Sequence, residues 1–175
     1  MKFCSECGSD QIKKEIPKGD NRLRSVCGNC GTIHYRNPKV ITGCLPIWRD
    51  KVLLCRRAIE PRKGYWNVPA GFMELGESAE EGAAREVWEE AEARVEIESA
   101  LTIFTFTKFS HVYIQFVGKL IDGKYGIGEE STEVQLFAEE EIPWSEMAFE
   151  SSTFALKKYF EDRKNGMQQT HLGSF

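Results

Sequence analysis

The stretch Gly71-Phe72-Met73-Glu74-Leu75-Gly76-Glu77-Ser78-Ala79-Glu80-Glu81-Gly82-Ala83-Ala84-Arg85-Glu86-Val87-Trp88-Glu89-Glu90-Ala91-Glu92-Ala93 decides how this chain folds. Ser78 followed by Glu81 is a capping box, in which a hydroxyl and a carboxylate satisfy the free amides of a helix start. A helix is therefore expected to begin at Ala79. Within it Glu86, Glu89 and Glu90 stand at i, i+3 and i+4, which brings all three onto one face. Ala83 with Val87, and Ala84 with Trp88, supply another face suited to packing against a sheet. Three carboxylates that close repel one another and weaken the helix. A divalent cation reverses that sign, and Mg²⁺, which prefers carboxylate oxygen and also binds phosphate, suits the arrangement. By spacing alone, a solvated acidic face is the more common explanation.

The rest of the chain bounds the possibilities. Its 175 residues suit one full domain and a small appendage, and 41% apolar residues are enough for a core. The net charge of −4 argues against a nucleic-acid binder, whose footprint is usually basic. No run of 18 apolar residues exists, so no membrane span is expected. The first residues lack the apolar stretch of a signal peptide, so the expected location is cytoplasmic.

Residues 1–36 are cysteine-rich and polar, and could not hold a core without a staple. Cys4 and Cys7, then Cys27 and Cys30, form two C-x₂-C pairs separated by 19 residues, a four-cysteine zinc pattern. Four thiolates leave no open position, so Zn²⁺ here is structural. Gly8 and Gly31 follow the pairs and let the chain turn tightly. Lys13, Lys14, Lys18, Arg22 and Arg24 make the segment mildly basic, but few aromatics interleave with them. A structural cap or subunit-contact element is favoured over a stacking platform for nucleic acid.

Asn37-Pro38 is a natural joint, giving domains 1–36 and 37–175. In the second, Val40–Trp48 and Lys51–Arg56 read as strands about a turn at Arg49-Asp50. Leu101–Phe109, His111–Ile121 and a short run near Val134–Ala138 read as further strands. Ser151 to Asn165 reads as a helix with Gly166 as its cap. Cys44 and Cys55 are expected in the core. Strands mixed with two helices make an α/β class with a mixed sheet between helices.

The register of Gly71, Glu77, Arg85, Glu86, Val87, Glu89, Glu90 and Ala93 resembles the Nudix box. Glu92 departs from it, standing where the pattern has a glycine that turns the chain out of the helix. There a non-glycine residue at positive φ costs roughly 1 kcal/mol. The resemblance implies a Nudix α/β/α sandwich preceded by a zinc ribbon, and a Mg²⁺- or Mn²⁺-dependent pyrophosphatase. It implies that Glu86 and Glu90 are the principal metal ligands, and that Glu89 is a ligand or orients water. Glu77 would complete the outer shell, Arg85 would hold a carboxylate by a bidentate pair, and the Gly71 carbonyl would be a further ligand. A further acid often comes from a distant loop, where Glu129, Glu130 and Glu133 are candidates and Glu133 is preferred.

A zinc ribbon ahead of such a box is similar to the NADH pyrophosphatases, but residues 94–121 lack their Ser-Gln-Pro-Trp-Pro-Phe-Pro stretch. The chain resembles more closely the plant and bacterial FAD/ADP-ribose pyrophosphatases, through residues 16–20, 33–39, 56–62 and 66–74. That resemblance implies a small-molecule nucleotide substrate and a homodimer. Arg56, Arg57 and Arg62 are candidates for the diphosphate, and Phe106 and Tyr113 for stacking on a base, with Tyr35 and Phe109 also weighed. A nucleic-acid-binding module carrying a silent Nudix fold is the alternative from another class.

Overall fold

The computed structural model describes residues 1–174, and the chain divides into two units at Asn37/Pro38. In the first, β1 (Ile12–Glu15), β2 (Arg24–Cys27) and β3 (Ile33–His34) form an antiparallel sheet with β2 central. Asp20 organises the β1–β2 connection by accepting from the amides of Asn21 and Arg22 and from the Arg24 guanidinium at 2.8 Å. The buried apolar side chains of this unit include little beyond Cys4 and Cys27. So small an interior cannot offset the entropy of ordering the chain without a cross-link.

The second unit runs β4 (Lys39–Trp48), β5 (Lys51–Arg57), β6 (Trp66–Asn67), β7 (Ala70–Phe72), α1 (Ala79–Ala91), β8 (Val95–Phe106), β9 (His111–Leu120), β10 (Ser131–Phe137), α2 (Glu150–Asn165) and β11 (His171–Ser174). Its sheet has the order β10-β5-β4-β9-β8-β11, with β6 on β5 and β7 on β4. The β4–β9 and β8–β11 pairs are parallel and the others antiparallel, so the sheet is mixed.

Strand alternation sends successive side chains to opposite faces, and two cores result. Cys44, Leu53, Cys55 and Phe116 pack with Ala83, Val87 and Ala91 of α1. Leu45, Val52, Leu54 and Val117 pack with Ala155, Leu156 and Phe160 of α2. Both core cysteines are fully buried, as expected. The packed stripe of α1 is narrower than its sequence suggests: Trp88 stays half exposed, with the Arg94 guanidinium 5.2 Å from its ring.

Three short strands, β6, β7 and β11, lie outside the expected set, and β8 begins at Val95 rather than Leu101. Glu96 and Glu98 give its first half a polar look, and register shifts after Ile97 and Ala100 interrupt the pairing with β9. The capping box is formed in full by Ser78 and Glu81. At the other end of α1, Glu92 adopts the left-handed conformation (φ 47°, ψ 30°) expected of the glycine that the Nudix box has at this position. The loop after β9 straps this end, with Gly126 donating to Ala91 O at 2.7 Å and Gly128 to Glu90 O at 3.1 Å. A Cβ on Gly128 would collide with the Glu89 carbonyl, so this approach requires glycine.

Replacing Glu92 by Gly removes the left-handed penalty and is expected to stabilise the chain by about 1 kcal/mol in urea unfolding. A loss of stability would show that the Glu92 side chain, which lies against Gly126, outweighs the backbone term.

Candidate active site

Arg85 is the hub of the carboxylate helix. Its Nε and Nη2 donate to the two oxygens of Glu77 at 3.0 and 2.8 Å. Its Nη1 donates to Glu86 at 2.8 Å and Glu89 at 3.0 Å, and Nη2 reaches the Phe72 carbonyl at 3.1 Å. A guanidinium has five N–H donors, and all five are used. Glu77 also accepts from the Glu74 amide at 2.7 Å. The Arg85 fork and that amide hold the Glu77 carboxyl down to about 2.

Glu86 and Glu90 are buried, 8% and 5% exposed, although both carry a carboxylate. Burial raises Glu90 to about 8, against a 3.1 Å bond from the Ala70 amide, and the charge of Glu86 adds to the rise. Burial also raises Glu86, opposed by Arg85. The space beside Gly71 is filled by the Glu86 carboxylate, which a Cβ there would strike. Glu89 remains exposed on the same face. Two buried carboxyls disfavoured as anions, with a third beside them, make a donor set of hard oxygens. Such a set fits a divalent cation.

Glu86 and Glu89 line a groove of ≈ 560 Å³, within the range of small-molecule sites. Gly71, Arg85, Glu86 and Glu89 form part of it, and Arg57, Tyr113 and Glu130 another part. Arg57 donates from Nε to the Pro61 carbonyl at 2.8 Å and lies 5.1 Å from the Phe149 ring centre. Its charge opposes the rise at Glu90, whereas Glu130 adds to it.

Other sequence-selected residues lie elsewhere. Glu133 sits opposite Arg56 in the β10–β5 ladder and pairs with it at 3.3 Å, so the loop carboxylate lining the groove is Glu130. The irregularity between Ser131 and Glu133 separates the two. Arg56 is further tied to the Gly64 carbonyl at 2.8 Å and to Glu146 at 3.3 Å. Arg62 lies 5.6 Å from the Tyr65 ring centre. Phe106 packs among Phe104, Phe109 and Tyr113 rather than lining the groove. His111, Gln115, Asn67 and Ser151 also line it and were not singled out by sequence. Gln115 does leave a trace, as a lone amide between Ile114 and Phe116.

In the first unit the sulfurs of Cys4, Cys7, Cys27 and Cys30 all lie within 4.8 Å of one another. Cys4–Cys30 and Cys7–Cys27 are 3.7 Å apart. A tetrahedral zinc with bonds of about 2.3 Å sets sulfur–sulfur edges near 3.8 Å, so the quartet fits zinc. Gly8 and Gly31 take positive φ, and their amides close turns onto Cys4 and Cys27. The Thr32 hydroxyl and amide hold the Cys30 thiol down to about 6, the form a metal needs. Among the described residues no comparably tight group of glutamates occurs.

A mixed sheet carrying a buried-carboxylate helix, with the Gly71-to-Ala93 pattern, defines a Nudix hydrolase. The chain belongs to the Nudix family, since the NUDIX domain model matches residues 37–157 and a zinc-ribbon model described as Nudix N-terminal matches residues 2–36.

A NUDIX hydrolase structure from Nitrosomonas europaea is 50% identical, with a TM-score of 0.96 over 100% of this chain and 99% of that one. An ADP-ribose pyrophosphatase of Methanocaldococcus jannaschii is 30% identical over 75% of this chain and 78% of its own length. An NAD-capped RNA hydrolase NudC of Vibrio vulnificus is 34% identical over 51% of this chain. The match spans only 32% of that relative's length. No helix among the described residues is long and apolar enough to cross a membrane.

Proposed function

We propose that the chain hydrolyses the diphosphate linkage of a nucleoside diphosphate derivative, either ADP-ribose or FAD, with Mg²⁺ or Mn²⁺. The carrying observation is the burial of Glu86 and Glu90 beside a groove that also holds the Arg57 cation. Glu86, Glu90, Glu89 and the Gly71 carbonyl would hold the metal. When bound, the metal lowers the pKa of a water and neutralises diphosphate charge.

The chain's own residues supply position and electrostatics. Arg85 fixes Glu86 and Glu89 and, through Glu77, the start of α1, so it is a positioning residue. Arg57 offers a cation to a phosphate oxygen. Glu130 is a groove carboxylate placed to take a proton from the attacking water, as is Glu89 where it does not hold the metal, and Tyr113 offers a ring to a base. Water adds to one phosphorus, the bridging oxygen leaves with the other phosphate, and the products are AMP with ribose 5-phosphate or with FMN.

The name of the archaeal relative favours ADP-ribose. The NudC names favour a second reading, attack on the diphosphate of NADH or of an NAD cap, but the dinucleotide-reading stretch is missing from residues 94–121. The cytoplasm and a homodimer belong to the same proposal and rest on the family resemblance.

ADP-ribose and FAD should turn over with Mg²⁺, and Glu90→Gln should lower the rate on the order of a hundredfold or more with the fold intact. Turnover confined to capped RNA or nucleoside triphosphates would sink the substrate reading. Unchanged turnover in Glu90→Gln would sink the carboxylate mechanism.

We also infer one structural zinc in the cysteine quartet. Metal analysis should find one equivalent per chain and none in Cys30→Ser. Zinc retained in full by that variant would contradict the assignment.

A further inference from the structure

The groove has a polar floor that none of the chemistry above uses. Gln115 of β9 is 1% exposed, and neither its Oε1 nor its Nε2 has a partner among the described residues. The hydroxyls of Thr102, directly opposite on β8, and Ser151, in the first turn of α2, are buried and unpartnered too. Leaving such groups unbonded costs about 1–3 kcal/mol each, so Gln115 and Ser151, which line the groove together, call for an occupant. Nearby Ser152 and Asn67 bond to each other at 2.6 Å and need none.

Sheet register fixes where this floor lies relative to the carboxylates. Gln115 is paired with Gly43 of β4, Gly43 with Ala70 of β7, and the Ala70 amide donates to Glu90. Gln115 is thus two strand spacings, about 10 Å, from the backbone that holds Glu90. Gln115 and Ser151 line the same groove as Glu86 and Arg85. Tyr113, two residues before Gln115 on the same strand face, lines it as well.

We propose that Gln115, flanked by Ser151 and Tyr113, reads the adenine base of the substrate. A primary amide presents a donor and an acceptor side by side, which match the amino group of adenine and its adjacent ring nitrogen. Tyr113 offers the neighbouring aromatic surface, and the distance to Glu90 leaves room for a ribose and a phosphate between. The proposal rests on the diphosphate-hydrolase reading of the groove, so its test is a binding measurement that needs no turnover.

The probes are AMP and its analogue lacking the 6-amino group, titrated calorimetrically into the full chain and into Gln115→Met. The wild type should prefer AMP by about tenfold or more, the discrimination typical of a good bidentate pair. Gln115→Met should lose that preference by weakening AMP alone. Loss of affinity for both probes in equal measure would mark Gln115 as merely structural and overturn the proposal. Should the variant fail to fold, the wild type decides: discrimination below twofold, or no AMP binding, overturns the proposal too. Discrimination without any hydrolysis of ADP-ribose would uphold the base site while removing the proposed activity.

Discussion

Burying two carboxylates on one helix is the constraint that shapes this molecule. Glu86 and Glu90 are held out of water on the face of α1 that adjoins β7, with Glu89 at their side. Desolvation and like charge both oppose that arrangement. The protein answers with a guanidinium whose five donors are all used, an amide aimed at Glu90, and a glycine where the Glu86 carboxylate needs room. The capping box and the glycine loop hold the ends of α1, and the stripe of Ala83, Val87 and Ala91 fixes its depth against the sheet. The Arg85 fork on Glu86, the Ala70 amide on Glu90 and the glycine at Gly71 would be superfluous around a solvated acidic face.

The reading of α1 from sequence succeeded because its signals are local. A capping box, an i/i+3/i+4 set and a left-handed exit at Glu92 each involve residues a few positions apart, and all are formed. Cysteine spacing is local in the same sense, and the four sulfurs converge. The mixed sheet was expected from strands mixed with two helices, whereas its strand order was not legible.

The remainder depended on tertiary geometry. β6, β7 and β11 have two to four residues each, too few for a period to register. Only two residues separate Glu130 from Glu133, yet the irregularity near Ser131 leaves one in the groove and sets the other opposite Arg56. Arg56 and Arg57 are likewise adjacent, but strand alternation parts them. Gln115 left only the trace of an amide within an apolar strand, because its meaning lies in lacking partners, a property of the folded interior.

The central claim is that the carboxylates of α1 exist to bind a divalent cation. Titration of Mn²⁺ followed by electron paramagnetic resonance, on the wild type, Glu86→Gln and Glu90→Gln, tests it without reference to any substrate. Losing even an outer partner of a metal site typically weakens binding about tenfold, so each variant should lose at least that much affinity. Equal Mn²⁺ affinity in all three proteins would contradict the account.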